Sequence, residues 1–256
     1  LLAVDTPSKE AFGVSAATVN WSRSLKNRYD AKKLIDPCED TVSLANYRPF
    51  SSQYLYESKA LNEAAGISRS FLTKESDRVI TIVGRGENTI FTTLMTNRIP
   101  ELKSLYNCQN FPLKLYEPAS ADDGLFATGE TGYTERDGIS DAGLKHFQDA
   151  YAGEQIGKED LFYYIYGLLH SPDYRTRFKN NLSKELPRIP AVKIAADFWA
   201  FSNAGRLLGD LHVNYETVKP YEVQEQMGEL GLVHINETPE NLYKVTKMKF
   251  GGTRAD

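Results

Sequence analysis

The chain has 256 residues, 41% hydrophobic and 25% charged, which is the composition of a globular protein with a sizeable core. No run of 18 apolar residues predicts a membrane span, and Cys38 and Cys108 form no CxxC pair, which argues against a cysteine-based zinc site and favours a reducing cytoplasm. The net charge of −4 alone argues against nucleic-acid binding, but residues 174–190 carry five bases and one acid, whereas residues 118–160 carry three bases and ten acids.

Residues 1–40 combine a short extended start with a basic, helix-forming stretch, WSRSLKNRYDAKKLI. The first residues, LLAVDTPSKEAF, show neither an initiator methionine nor the pattern of a signal peptide. We therefore interpret the chain as cut from a longer one, and residues 1–40 as a linker with a helical segment.

Residues 41–118 have the alternation and aromatic content of β-strands. Pro49 interrupts the segment TVSLANYRPFSSQYLYES, which predicts a bulged or edge strand, or two short strands. The segments DRVITIVG and NTIFTTLMT flank GRGEN, a pattern typical of a hairpin whose tip carries Arg85 and Asn88. A further strand, NFPLKLYEP, is predicted to end at Pro118.

Residues 119–140 are rich in Gly, Asp, Thr and Ser and are predicted to form a long acidic loop. Residues 141–256 are predicted to be a helical part with a C-terminal strand, NLYKVTKMKFGG. Its helices are expected at GLKHFQDAY behind a cap by Ser140 or Asp141, at the largely apolar residues 158–170, at SPDYRTRFKNNLSKEL, and at DFWAFSNAGRLLGDLHVNYE. The predicted fold class is mixed α/β of the α+β type: a small, mostly antiparallel sheet with hairpins plus a helical subdomain.

Familiar catalytic motifs are missing from the sequence, which has no GxxxxGK[ST], HExxH, G-x-S-x-G or Pro-Pro-aromatic segment. The histidines, His146, His170, His212 and His234, lie far apart, and we interpret them as surface or core residues rather than metal ligands. The GRG at 84–86 leads into a second strand, which favours a hairpin turn over a dinucleotide fingerprint. We therefore expect no catalytic and no metal-binding residues.

Segments along nearly the whole chain resemble, in order, the region that follows the methyltransferase in Type ISP enzymes, the single-chain restriction-modification proteins. The segments are WSRSLKN (21–27), SLANYRPFSSQYLY (43–56), VITIVGRG (79–86), TTLMTNRIPEL (92–102), QNFPLKLYEP (109–118), EDLFYYIYGLLHSPDYRTRFKNNLSKELPRIP (159–190), DFWAFSNAGRLLGDLHVNYE (197–216) and YKVTKMKFG (243–251). The acidic loop matches nothing in that region.

The resemblance implies a function in recognising double-stranded DNA of a specific sequence. Relatives carry a nuclease, a helicase-like ATPase and an adenine-N6 methyltransferase before this region, so the parent would use S-adenosylmethionine, ATP and Mg. This chain itself would bind no cofactor. Its partners would be duplex DNA and the methyltransferase of the same polypeptide, in the cytoplasm and away from membranes. The alternative functions are an interdomain scaffold that clamps methyltransferase and DNA without reading bases, and a free-standing enzyme of unseen type.

Several residues are candidates for contacts with DNA by their residue types and their places in the sequence. Arg48 precedes Pro49 and is either a phosphate or base contact, or a buried ion-pair partner. Arg85 and Asn88 are the residue types that read guanine and adenine, and glycines beside them let a loop approach a groove closely; the alternative is a solvated turn. Arg69, in GISRSFL, is a further candidate of the same kind.

Three cations at the start of the helix behind Ser171 are candidates for phosphate contacts, namely Arg175, Arg177 and Lys179. The alternative for these residues is a solvated helix face. The tyrosines among residues 163–166 resemble a stacking stripe, but their helix is apolar all round, so we interpret them as core residues with a polar tip.

Overall fold

A computed structural model describes residues 23–33, 41–57, 77–84, 90–118, 133–220 and 222 of the chain. The strands are β1 (Thr41–Arg48), β2 (Ser51–Glu57), β3 (Val79–Ile82), β4 (Thr93–Thr96), β5 (Ile99–Pro100), β6 (Gln109–Pro112), β7 (Lys114–Pro118) and β8 (Tyr133–Asp137). The helices are α1 (Arg23–Asp30), α2 (Asp141–Ala150), α3 (Lys158–His170), α4 (Pro172–Arg177), α5 (Lys179–Leu182) and α6 (Ala195–Val213), followed by a 3-10 turn at Tyr215–Thr217.

The strands form small, mostly antiparallel sheets, so the predicted α+β fold class is confirmed. In the first sheet, β1 pairs antiparallel with β2 and parallel with the two-residue β5. In the second, β3 lies between β4 and β6 and is antiparallel to both. In the third, β7 pairs antiparallel with β8. The pairing of β3 with β4 confirms the predicted hairpin, although its tip, residues 85–89, lies outside the described residues.

The segment around Pro49 forms two strands, which is one of the alternatives that the sequence left open. Pro49 and Phe50 make the turn between β1 and β2, and the register of the ladder shifts between Asn46 and Arg48. Phe50 adopts a left-handed backbone with φ 53°, which is uncommon for a residue with a bulky side chain. A proline suits this position because the turn needs no amide donor from it.

The single strand predicted for residues 110–118 is wrong, since the chain changes sheets at Leu113. The amide of Leu113 donates to the carbonyl oxygen of Arg78 at 2.8 Å, which ends the pairing of β6 with β3. Its own carbonyl oxygen accepts from the amide of Gly138 at 2.8 Å, which begins the pairing of β7 with β8. Pro112 marks an interruption directly before this point, because proline cannot donate to a strand ladder, but local residue types do not show which strands pair on either side.

The long loop predicted at 119–140 is also corrected, because its last part contains β8. Opposite charges face each other across the ladder of β7 and β8: Lys114 lies 2.6 Å from Asp137 and 3.1 Å from Glu135, and Arg136 lies 3.3 Å from Glu117. Such cross-strand pairs stabilise a ladder even when the strand is short and polar. Residues 119–132 lie outside the described residues.

The predicted helix starts are largely confirmed. Ser140 caps α2 by accepting a hydrogen bond from the amide of Gly143 at 3.1 Å, and Ser171 caps α4 by accepting from the amide of Tyr174 at 3.3 Å, with Pro172 in the first turn. The one helix predicted after Ser171 is two short helices, because the chain leaves the helical conformation at the residue between α4 and α5.

Helices α3 and α6 pack so closely that glycine is required on both. A Cβ atom added at Gly167 would lie 2.2 Å from the carbonyl oxygen of Phe201. One added at Gly205 would lie 2.0 Å from the carbonyl oxygen of Tyr163. Backbone cannot yield as a side chain can, so these two glycines set the distance between the helices.

Polar groups along the same seam fix how the two helices align. The hydroxyl of Ser202 donates to the carbonyl oxygen of Asp160 at 2.9 Å. The guanidinium of Arg206 pairs with the carboxylates of Glu159 and Asp160, the latter at 3.0 Å, and lies 4.3 Å from the centre of the Tyr163 ring. These ion pairs are partly exposed, so each contributes at most about 1 kcal/mol and chiefly sets register.

Aromatic rings fill the core around this helix pair. Phe198 is fully buried and stacks on Tyr164 with ring centres 4.6 Å apart, and Phe147 and Tyr151 of the α2 region pack against it. Met95 of β4 belongs to the same buried cluster. The predicted β-rich and helical parts therefore share one core, and the chain forms one compact unit through Thr217. Residues 218–256, with the predicted C-terminal strand, lie almost wholly outside the described residues.

Three tyrosine hydroxyls hold the extended segment 186–192, which has neither helical nor strand structure. They donate to carbonyl oxygens at alternate residues, Tyr174 to Arg188 at 2.7 Å, Tyr164 to Pro190 at 2.6 Å and Tyr151 to Val192 at 2.7 Å. Alternate carbonyls of an extended chain point to the same side, so one face of the segment meets all three hydroxyls. The sequence predicted Tyr164 to be a core residue with a polar tip, and this prediction is confirmed. No helix among the described residues is long and apolar enough to cross a membrane.

We predict that Gly205→Ala costs about 1–3 kcal/mol of the free energy of unfolding, because its Cβ meets backbone. Gly209→Ala on the same helix is the matched control. Its Cβ would lie 2.6 Å from the Sδ atom of Met95, a flexible side chain that can move, so the loss should be clearly smaller. Denaturant unfolding of both variants measures the difference, and equal losses would show that the close helix contact is not the cause.

We predict that Tyr164→Phe costs about 1 kcal/mol, because it removes the donor to the Pro190 carbonyl while keeping the ring in the core. Tyr215→Phe is the control, since that hydroxyl donates only to the exposed carboxylate of Glu216 and its loss should change the stability little. Thermal unfolding of the two variants compares them. A Tyr164→Phe protein as stable as the control would contradict the assigned role of the hydroxyl.

Candidate nucleic-acid interface

Arg48 is held by an ion pair at the end of β1. Its Nη1 atom donates to Glu101 Oε2 at 2.7 Å and to the carbonyl oxygen of Tyr47 at 2.6 Å, and the guanidinium lies 4.0 Å from the centre of the Tyr47 ring. Both charged side chains remain about 40% exposed, at 42% and 37%. Arg48 is thus an ion-pair partner, but the pair is half-exposed and not buried as the alternative had it. Its contact with DNA stays a prediction.

Glu101 joins the β1–β2 hairpin to the loop that follows β5. Its carboxylate Oε2 accepts from the amide of Lys103 at 2.9 Å as well as from Arg48, and its own amide donates to the carbonyl oxygen of Asn46 at 3.1 Å. One carboxylate therefore fixes the position of an arginine at the end of β1 and the start of a neighbouring loop. A cleft of about 560 Å³ lies between these turns.

The loop after Glu101 contains two consecutive residues in the left-handed conformation, Tyr106 with φ 54° and Asn107 with φ 49°. Asparagine tolerates this region, whereas for tyrosine it stores strain on the order of 1 kcal/mol. The turn meets the end of β3, where the amide of Gly84 donates to the carbonyl oxygen of Tyr106 at 3.2 Å. A Cβ at Gly84 would lie 2.2 Å from the carbonyl oxygen of Asn107, so only glycine fits there.

The turn of the β1–β2 hairpin rests on the C-terminal end of α6. The ring of Phe50 lies edge-on to His212, with ring centres 5.4 Å apart. Arg98 bridges the same junction: its Nη1 atom donates to the hydroxyl of Ser52, and its Nη2 atom to the carboxylate of Glu216 at 3.4 Å. The hairpin that carries Arg48 is therefore anchored to the helical core.

Arg175 does not lie on a solvated face, so that alternative is wrong for this residue. Its Nε atom donates to the carbonyl oxygen of Leu169 at 2.6 Å, and its Nη2 atom lies 3.4 Å from Nδ1 of His170. The carbonyl of Leu169 lies in the last turn of α3, where carbonyls lack partners within the helix, so Arg175 serves as its cap. Burial lowers the pKa of Arg175. A phosphate contact by this residue stays a prediction.

Arg177 and Lys179 are exposed, in contrast to Arg175. The guanidinium of Arg177 lies 5.6 Å from the centre of the Phe178 ring, and neither cation pairs with a carboxylate in the described part of the chain. Both are accessible to a polyanion, and their contact with phosphate stays a prediction. Arg69, Arg85 and Asn88 lie outside the described residues.

His170 and His212 meet under the β1–β2 turn. The hydroxyl of Tyr166 forms a hydrogen bond with Nδ1 of His212, and the two imidazole centres lie 5.6 Å apart. Burial, followed by the charge of Arg175, lowers the pKa of His170 to about 4. Burial also lowers the pKa of His212. No third ligand joins them, because the described residues contain no group of three or more His, Cys, Asp or Glu that could hold a metal ion.

Sequence reasoning missed two exposed residues of the cleft, Lys103 and Tyr106, which lie on the loop after β5. Asn107 offered a weak signal, since asparagine favours left-handed turns. Nothing in the residue type of Tyr106 indicated a left-handed backbone, and the ion pair of Arg48 with Glu101 spans 53 positions of the chain.

The chain belongs to the family of Type ISP C-terminal specificity domains, whose model matches residues 6–256. None of the curated protein sequences matches the chain.

Several solved structures are similar to it, among them three complexes with DNA or a DNA mimic. A cryo-electron microscopy structure of a DrdV–DNA complex has a TM-score of 0.71 and 28% identity over 93% of this chain and 22% of that one. The ATP-dependent Type ISP restriction-modification enzyme LlaBIII bound to DNA has a TM-score of 0.65 and 27% identity, and the match covers 80% of this chain and 13% of that one. A nuclease-deletion mutant of the Type ISP restriction-modification enzyme LlaGI in complex with a DNA substrate mimic has a TM-score of 0.59 and 31% identity, and the match covers 79% of this chain and 16% of that one. The chain thus spans about a fifth or less of these relatives.

We predict that acid weakens the fold through His170. In the unfolded chain this imidazole takes up a proton near its ordinary pKa of 6.5, but in the folded chain only near pH 4, so unfolding binds a proton between these values. Stability is therefore lost as the pH falls through this window, by about 1–2 kcal/mol once partial exposure is allowed for.

The measurement is the free energy of unfolding from pH 7 to pH 4 for the unaltered protein, for His170→Gln, and for His146→Gln as the control at an exposed position. The slope should flatten in His170→Gln and persist in His146→Gln. Identical slopes in all three proteins would exclude His170 as the cause.

Proposed function

We propose that this chain recognises a specific sequence of double-stranded DNA as the specificity domain of a larger restriction-modification enzyme. The observation that carries the proposal is the match of the Type ISP C-terminal specificity domain over residues 6–256. The similar solved structures are DNA complexes, and the chain covers at most 22% of their length. Recognition needs neither a cofactor nor a metal ion in this chain.

The larger enzyme would supply the chemistry. We infer that it joins this chain to a methyltransferase that modifies adenine with S-adenosylmethionine, and to a nuclease and an ATPase that use ATP and Mg. It would act in the cytoplasm, where Cys108, a free and buried thiol, stays reduced. The net charge of −4 leaves this chain with little sequence-independent attraction to DNA, so the methyltransferase would have to share the phosphate contacts.

The candidate residues divide by the part of DNA that they would contact. Arg85 and Asn88 would read base edges, because their side chains can form paired hydrogen bonds to guanine and adenine. Arg177 and Lys179, which are exposed on or beside a short helix, would contact phosphates and set register without carrying sequence information. Arg69, a candidate of the same kind as Arg85, would also read base edges.

One observation favours the second candidate function, an interdomain scaffold. The outer face of α6 carries exposed apolar side chains at helical spacing, with Leu207 69% and Leu211 52% exposed and Ala200 and Ala204 beside them. An exposed apolar stripe on a helix suits contact with a neighbouring domain. Selection of duplexes from a random pool by the full polypeptide separates the two: an enriched common sequence supports recognition, and a pool without one supports the scaffold.

We predict that Arg85→Ala or Asn88→Ala in the full polypeptide weakens binding at one position of the selected site, by about 1–3 kcal/mol for each lost bidentate contact. The comparison is Lys179→Ala, which should weaken binding equally for all sequences and reduce its salt dependence. Titration against every single-base variant of the site gives both results. If Arg85→Ala weakened all variants alike, residue 85 would be a phosphate contact.

A further inference from the structure

We propose that Lys103 and Tyr106, together with Arg48, form a cleft that binds one or two phosphates of the DNA backbone. The inference rests on the proposed function and names the part of the DNA that this site takes. The cleft has a volume of about 560 Å³ and lies where the β1–β2 turn, the end of β3 and the loop after β5 meet. Its lining combines these three side chains with apolar ones such as Val83 and Ile90.

The cations of the cleft have unused hydrogen-bonding capacity. Arg48 uses only Nη1, for Glu101 and for the Tyr47 carbonyl, and its Nε and Nη2 atoms have no partner among the described residues. The Nε–Nη2 edge is a two-donor fork of the kind that matches a phosphate. Because Glu101 holds the opposite side of the guanidinium, the fork is positioned before a ligand arrives.

Lys103 adds a charge that no carboxylate offsets in the described part of the chain. Its ammonium reaches the side-chain oxygen of Asn107, which is a neutral acceptor. With Arg48 paired to Glu101, the charge of this site is that of one lysine, about +1. A phosphate oxygen would therefore meet a net positive site in a chain whose total charge is −4.

The left-handed backbone at Tyr106 exposes its side chain to solvent. Its side chain is 66% exposed although it is large and aromatic, and its hydroxyl has no partner among the residues that the structure describes. The left-handed turn that places it is fixed on both sides, by Gly84 and by the bond of 2.8 Å from the amide of Cys108 to the carbonyl oxygen of Leu102. A strained turn that exposes a tyrosine in a cleft with two cations suits a contact site more than a solvated loop.

Together the three side chains are those that commonly contact the DNA backbone: an arginine, a lysine and a tyrosine hydroxyl. They lie at the end of β1 and on the loop after β5, and that loop contacts the end of β3 through Gly84. Phosphate binding here would fix the position of β3, which leads to residues 85–89, relative to the DNA backbone. The phosphate contact itself would not depend on the DNA sequence.

The experiment measures binding of the full polypeptide to its selected duplex and to a scrambled duplex between about 50 and 200 mM salt. Lys103→Ala should weaken both by on the order of tenfold and reduce the slope of log affinity against log salt by about 0.9. Tyr106→Phe, which loses only the hydroxyl, should weaken both by a smaller factor of about 3 at unchanged slope. Lys145→Ala, on α2, removes the same charge from an exposed lysine away from the cleft and should change neither.

Tyr106→Asn separates contact from folding. Asparagine suits the left-handed backbone better than tyrosine, so this variant should unfold at the same or a higher temperature while binding DNA more weakly. Unchanged affinity and salt slope in Lys103→Ala and Tyr106→Asn would overturn the proposal, and so would a loss confined to particular base pairs. If the unaltered polypeptide had no sequence preference at all, the proposed function would fail, whereas the scrambled duplex would still test the cleft.

Discussion

The backbone-to-backbone contact of α3 and α6 at Gly167 and Gly205 is the constraint on which the rest of the structure depends. At this separation the two helices behave as one body, and the other elements attach to its surface. The strand β4 packs on it through Met95, the hairpin turn through Phe50, and the extended segment 186–192 through tyrosine hydroxyls. The small sheets have too little area for a core of their own, so they are ordered by the helices.

Much of this fold could be predicted because the signals are local. Serine caps, a proline in a first helical turn, and the apolar run of α3 act within a few residues, and each gave the correct element. The sheet switch at Leu113 and the strand β8 were missed because both depend on partners distant in sequence. The pairing of Lys114 with Asp137 across 23 positions gives no periodic pattern.

The candidate interface was harder to predict than the fold, for the same reason. Residue type alone identified Arg48 as a cation of interest, but only the structure shows that Glu101 positions it and that Arg175 caps a helix instead of facing solvent. Charge counting treats these arginines alike. What separates them is the acceptor within reach, a carboxylate 53 positions away for Arg48 and a carbonyl six positions away for Arg175, and residue type indicates neither.

The pairing of β7 with β8 has a consequence for how such domains diversify. Lys114 and Asp137 close one end of the ladder and Pro118 and Tyr133 the other, so the ends of residues 119–132 are held together whatever lies between them. The entropy of closing a loop rises only slowly with length, by about 0.6 kcal/mol for each doubling. Genes of this family can therefore gain or lose codons at this position while the helix pair and its attached strands stay as they are.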